Sequence, residues 1–162
     1  MPKKVPRTVG TRYLKKWDIV DAEVESPIQG QVKDPEDLYL FLKDLENELV
    51  PKMIAVYLDD NNQFMGHQVF LGQTPGTFDT AHLYHYYLIF LAKKYMLLTN
   101  HPQGDAAPTE ADCAFMDTLV LDSRLLSFKP QFADYIIVGD KTYYSMATHE
   151  GKACMCGRQH DL

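Results

Sequence analysis

A histidine, a hydroxyl and a carboxylate are spaced across a Pro/Gly turn in Thr99-Asn100-His101-Pro102-Gln103-Gly104-Asp105 and the following Pro108-Thr109-Glu110-Ala111-Asp112. Two histidines one residue apart, then a Ser or Thr and an Asp beyond such a turn, would make a convincing hydrolytic metal site, in which an open position holds a water whose pKa the ion lowers. Only one of those histidines is present, because position 99 is a threonine. Thr109 and Asp112 also have a local use. A hydroxyl before a helix and an acidic residue in its first turn satisfy free N–H groups and the helix dipole, so neither residue by itself demands a metal.

The elements that must position these groups read as alternating helices and strands. Asp34 suits an N-cap and Pro35 a first helical position, and Leu38, Leu42, Leu45 and Leu49 recur at helical spacing until Pro51. Residues 53–58 are apolar enough for a buried strand, Asp59-Asp60-Asn61-Asn62 supply turn chemistry, and 63–71 return as a hairpin partner. The spacing of Leu83, Tyr87 and Leu91 predicts a second helix over 78–94, followed by a strand over 95–99. A third helix is predicted over 109–126, with Thr109 as N-cap and Asp112 at its third position. Two β-type runs flank Gly139-Asp140. The sum is an α/β domain with strands sandwiched by helices and no internal repeat.

Composition bounds the rest. A chain of 162 residues, 46% hydrophobic with net charge −6, suits one compact domain able to bury a core. The apolar stretch over 84–98 is broken by His85, Lys93 and Lys94, so the expectation is a cytoplasmic protein with no membrane partner. Lys3, Lys4, Arg7, Arg12, Lys15 and Lys16 give residues 1–17 a charge of +6, while the remaining ten basic and 22 acidic residues leave −12. Such an arm suits contact with nucleic acid or an acidic partner, and equally a solvated leader or a fold-back onto the acidic body. Three cysteines do not describe a secreted disulfide framework, so reduced thiols are expected, with Cys113 a small buried residue. Cys154, Cys156 and His160 have metal-compatible spacing but lack an evident fourth ligand.

Pro35-Glu36-Asp37 opening a helix, the Val56-Tyr57-Leu58-Asp59 strand, Asn100-His101-Pro102 with Gly104-Asp105, Pro108 with Asp112, and Asp134-Tyr135-Ile136-Ile137-Val138-Gly139-Asp140 together resemble the RadC-like branch of the JAB/MPN domains. The resemblance covers 34–151, leaving a basic arm over 1–33 and a tail over 152–162. It implies a mixed β-sheet packed between helices, similar to the cytidine deaminase architecture. It also implies descent from zinc metallopeptidases or isopeptidases carrying the JAMM signature, in which two histidines and an aspartate hold zinc, a glutamate acts as general base and a Ser or Thr steadies the oxyanion.

Carried across by that resemblance, His101 matches the second histidine, Thr109 the Ser/Thr and Asp112 the aspartate. Thr99 replaces the first histidine and Pro51 falls where the glutamate belongs. Threonine offers zinc a poor donor and proline takes no proton. Glu48 is the candidate substitute base, and Asp105, His82 or His85 the candidate substitute ligands; His67 and His149 have no partner visible in sequence. Asp44, Glu46 and Glu48 read most simply as a solvated helix face. The leading expectation is a scaffold that binds a protein or peptide, with no zinc or weakly bound zinc. The alternatives are an active zinc metallopeptidase with rearranged ligands and a DNA-associated protein using the basic arm.

Overall fold

The computed structural model describes residues 8–15, 18–25, 28 and 30–147, the first two segments by backbone alone. Two antiparallel strands, β1 (Thr8–Lys15) and β2 (Asp18–Glu25), form a hairpin. Its register sets Arg12 opposite Asp21 and Lys15 opposite Asp18, so the basic strand pairs with an acidic one. Lys3, Lys4, Arg7 and Lys16 lie outside the described residues, as do His149, Cys154, Cys156 and His160.

A five-stranded sheet follows, built from β3 (Lys52–Leu58), β4 (Phe64–Leu71), β5 (Lys94–Asn100), β6 (Gln131–Val138) and β7 (Tyr143–Ser145), in the order β4-β3-β5-β6-β7. The pairs β3–β4, β3–β5 and β6–β7 are antiparallel and β5–β6 is parallel, so the sheet is mixed. The parallel pair requires a crossover, which α3 (Glu110–Leu125) supplies. Both faces are covered. Met53, Ala55, Tyr57, Tyr95, Leu97, Tyr135 and Ile137 pack under α2 (Thr80–Ile89) and α3, while Ile54, Val56, Leu58, Met96, Leu98, Ile136 and Val138 pack under α1 (Tyr39–Asn47). Alternation along each strand therefore assigns odd residues of β3, β5 and, from Tyr135 onward, β6 to the α2/α3 face and even ones to the α1 face; before that a bulge opposite Tyr95 and Met96 shifts β6, so Phe132 joins the α2/α3 side and Ala133 the α1 side.

Two helix ends differ from the sequence expectation. The first helical segment begins as a 3₁₀ turn, Pro35–Leu38, and α1 ends at Asn47, so Leu49 is exposed and does not continue the buried row of Leu38, Leu42 and Leu45. The second helix stops at Ile89 and not at 94. Leu91 adopts φ 54°, with its N–H bonded to the carbonyl of Leu88 and that of Ala92 to Tyr87, a left-handed reversal that frees residues from Lys94 onward for β5. Leu91 is consequently exposed. Cys113 is buried as expected, but its sulfur is in a disulfide, contrary to the expectation of reduced thiols.

Asn100 ties α1 to the sheet. Its side chain is buried at the end of β5, donating Nδ2 to the carbonyl of Val50 at 3.0 Å and accepting the Lys52 N–H at 2.8 Å. Weaker contacts of 3.5 Å reach the carbonyls of Leu45 and Glu48. Asn100→Ala strands a buried donor and acceptor together, and the expected loss is about 2–3 kcal/mol of unfolding free energy. Urea denaturation checks this; a loss below about 0.5 kcal/mol, the ordinary surface value, would show the clamp to be dispensable.

Candidate functional site

Residues 101–109 form the loop that carries His101 from β5 to the start of α3. The loop is held tightly against the β6–β7 turn: His101 N–H donates to Val138 O at 2.8 Å, Gly104 N–H to His101 O at 2.9 Å, and Asp140 N–H to Gly104 O at 2.8 Å. Gly139 allows the approach, because a Cβ there would lie 2.5 Å from Ala106 N and 2.7 Å from Gly104 O.

At the centre sits Asp112, 1% exposed in the first turn of α3. Its Oδ2 accepts the Thr109 N–H at 2.9 Å, the Thr109 hydroxyl at 2.8 Å and His101 Nε2 at 2.9 Å. Its Oδ1 accepts the Tyr135 hydroxyl at 2.8 Å. Thr109 Oγ1 in turn takes the Asp112 N–H at 3.3 Å, completing the capping box expected from the sequence. The carboxylate thus has four donors from three elements. Burial pushes its pKa up, but hydrogen bonds from His101, Thr109 and Tyr135 outweigh it and leave it below the usual carboxylate value.

His101 is held at both ring nitrogens. Nε2 faces Asp112, and Nδ1 faces the backbone carbonyl of Asp105 at 2.7 Å. A neutral imidazole carries one N–H, whereas two oxygen acceptors call for two, so the arrangement favours the imidazolium. The hydrogen bond to Asp112 accordingly raises the His101 pKa, against partial burial, with Asp105 adding to the rise.

The other sequence candidates fall elsewhere. Thr99 is buried on the same sheet face as Tyr135, with its hydroxyl directed to Lys52 O at 3.4 Å. Pro51, half-buried just before β3, gives its carbonyl to the Gly72 N–H. Glu48 caps α1; its carboxylate takes the Leu49 N–H at 3.1 Å and lies 3.5 Å from Lys52 Nζ, with no hydrogen bond to His101 or Asp112 among the described residues. Asp105 uses its carboxylate to accept the Ala107 N–H at 2.9 Å. His82 and His85 are exposed on α2, and His85 contacts Tyr86 at 5.2 Å between ring centroids. His67 packs 4.7 Å from the Phe41 ring, and burial lowers its pKa. Asp44 pairs with Lys52 at 2.7 Å and Glu46 with Lys43 at 3.1 Å. Among the described residues, no three His, Cys, Asp or Glu side chains converge as a ligand set.

Tyr135 and Asn100 were not singled out as functional side chains by sequence reasoning. The signal for Tyr135 was available: a phenol in the middle of an apolar central strand must find a partner for its O–H. For Asn100 the adjacent His101 drew the chemical reading, although a polar amide ending a buried strand has the same need.

A mixed sheet between helices, with a histidine loop converging on the capping aspartate of the crossover helix, defines a JAB-type α/β domain. Residues 32–152 match the family model described as RadC-like JAB domain, and the chain belongs to that family. It is 32% identical over 114 residues to the UPF0758 protein YfjY of Escherichia coli (strain K12), covering 69% of this chain and 68% of that protein. It is 28% identical over 116 residues to a UPF0758 protein of Aquifex aeolicus (strain VF5), covering 70% of this chain and 49% of the relative. The chain spans about half the length of the Aquifex aeolicus and Methanosarcina mazei relatives it matches.

The His101–Asp112 pair makes stability depend on pH in a defined direction. Because the folded-state pKa of His101 is raised, its contribution is complete below the ordinary histidine value of 6.5 and is lost as pH rises through the higher folded value. Asp112, lowered from 3.8, contributes above that value and loses its contribution as pH falls through its folded pKa. Urea unfolding across pH should show stability declining above pH 6.5, with that segment of the decline flattened in His101→Gln. An unchanged slope in the variant would remove the imidazolium from the account.

Proposed function

We propose that this domain keeps the JAB scaffold but has turned its metal position into a hydrogen-bonded lock, and that it acts by holding a protein or peptide segment without zinc-dependent hydrolysis. The single observation that supports this most is the bonding of Asp112: among the described residues its carboxylate takes four hydrogen bonds, and one of them comes from the histidine that would be its fellow ligand. Two side chains that should bind one ion bind each other.

The donor chemistry supports the same reading. In the family's active members bound zinc supplies an activated water, and three protein ligands leave the fourth position open. Here Thr99 brings a neutral hydroxyl at the remaining ligand position, and Pro51 brings no base. His101 would have to give up a proton before its Nε2 lone pair could serve an ion, and Asp112 would have to release its donors. His101 and Asp112 alone make a weak site. In the proposed scaffold, His101 fixes the loop, Thr109 caps α3, Tyr135 holds the carboxylate from beneath, and a protein or peptide segment is bound in place of a scissile tail.

Metal content tests the proposal. Protein purified without added zinc is expected to carry well under one equivalent, and chelator should leave its melting temperature unchanged. Thr99→His, which supplies the missing imidazole, is expected to raise zinc affinity above that of the parent chain in competition with a chromogenic chelator. One tightly held equivalent in the parent chain, lost in His101→Ala and coupled to chelator-sensitive peptide cleavage, would establish the rearranged metallopeptidase instead.

A further inference from the structure

The face of α3 opposite the lock is built for contact. Ala111, Ala114, Thr118, Leu121 and Leu125 recur at alternating spacings of three and four residues, the seam pattern of a coiled coil, and all five are exposed. Leu121 and Leu125 are 52% and 72% exposed. The residues α3 buries in its own domain, Asp112, Cys113, Phe115, Met116 and Leu119, occupy the other side.

The stripe is asymmetric along its length. Its C-terminal half presents two leucine knobs. Its N-terminal half is small, and there Ala111, Ala114 and Thr118 form one wall of a groove of about 360 Å³ whose other wall includes Pro75, Gly76 and Phe78. Knob and groove lie on the same 16-residue helix. A two-fold rotation about a point between Thr118 and Leu121 would therefore bring the leucines of each copy into the groove of the other, with Thr118 opposite Leu121 and Ala114 opposite Leu125. Such self-complementarity is what an isologous contact requires.

Charge selects the same arrangement. Asp117 and Arg124 are seven residues apart, two turns along one flank of the stripe. Antiparallel pairing sets Asp117 of one copy beside Arg124 of the other, twice. A parallel, in-register pair would face Asp117 with Asp122 of the second copy and would stack alanine on alanine, leaving the grooves unfilled. Asp117 also has an interaction within its own chain.

We propose that the exposed face of α3 is the contact between two copies of this chain, paired antiparallel through Leu121 and Leu125. The contact uses the helix face away from Asp112, so dimerisation leaves the His101 loop uncovered and stands independently of the reading of that loop.

Sedimentation equilibrium of the full chain tests it. The expected result is a concentration-dependent monomer–dimer equilibrium, reduced to monomer in Leu121→Glu/Leu125→Glu while the circular dichroism spectrum and melting transition of the fold are retained. Ala114→Leu fills the groove with the helix otherwise intact and is expected to raise the dimer dissociation constant at least tenfold, roughly one lost layer of packing. Asp117→Arg alone should raise it about tenfold by turning two attractions into repulsions, and Asp117→Arg combined with Arg124→Asp should return it to within about twofold of the parent. A parent chain that stays monomeric at every concentration would give the stripe to a different protein and overturn the proposal. A dimer that survives Leu121→Glu/Leu125→Glu, or a charge swap that restores nothing, would overturn the α3 contact or its antiparallel sense.

Discussion

A single buried carboxylate organises this domain. Removing an ionised Asp112 from water costs several kcal/mol unless its oxygens are given partners of comparable strength. Those partners come from the loop after β5, from the N-cap of α3 and from β6. The requirement to satisfy one charge therefore fixes the position of the crossover helix relative to the parallel pair it connects. His101, whose pKa this bond raises, is the one member of the shell that can carry a positive charge; hydrogen bonds to a charged group are worth about twice those between neutral ones. Its second nitrogen passes the constraint on to the Asp105 carbonyl and so to the shape of the loop.

Under the proposed reading, that shell accounts for a chain that keeps most of a metal signature while its side chains bond one another. Histidine, threonine and aspartate at these positions have two sets of uses, and the second set is complete in itself. Thr109 and Asp112 would be selected by helix capping alone, since the first N–H groups of α3 need acceptors. His101 is selected by the charge of Asp112. Thr99 and Pro51, the two positions read from the sequence as departures from the family pattern, have no bond to this cluster among the described residues, and each bonds a neighbouring backbone group instead.

Much of the fold was legible because its signals are local. The capping box of α3 could be read from Thr109 and Asp112, and the β3–β4 hairpin from Asp59-Asp60-Asn61-Asn62, where the Asp59 carboxylate does accept the N–H groups of Asn61 and Gln63. The end of α2 was not legible. Leu91 continues the helical spacing, and nothing in periodicity reveals that a leucine will adopt φ 54° so that Ala92 can turn toward β5. There the cost of a left-handed non-glycine residue is met by tertiary packing of Phe90 and Ala92, both buried. Leu49 misled in the same way: its spacing matched Leu42 and Leu45, but Asn100 captures the backbone after α1 and ends the row. Candidate site residues were legible by type, not by partnership. Nothing in the spacing of His101 and Asp112 distinguishes two ligands of a shared ion from an ion pair, because that depends on whether a third donor arrives, and the third donor, Tyr135, comes from a strand 23 residues further on.

The two sides of α3 therefore answer to different constraints. The inner side is bound by an electrostatic requirement that tolerates little change, since deleting any one donor leaves a buried charge less than satisfied. Among the described residues the outer side shows no such requirement: Ala111, Ala114 and Thr118 line the groove beside Pro75, and Leu121 and Leu125 are exposed. A helix serving only as a crossover gains nothing from exposing leucines at seam spacing, where lysine or glutamate would favour solubility and an equal helix propensity. The pattern is economical if the helix must also be read from outside, because the inner lock then supplies the rigidity that an interface on the outer face needs. Order imposed by Asp112 on one side lowers the entropy to be lost on the other, so a short seam of five residues can suffice where a free helix of this length would not hold its shape.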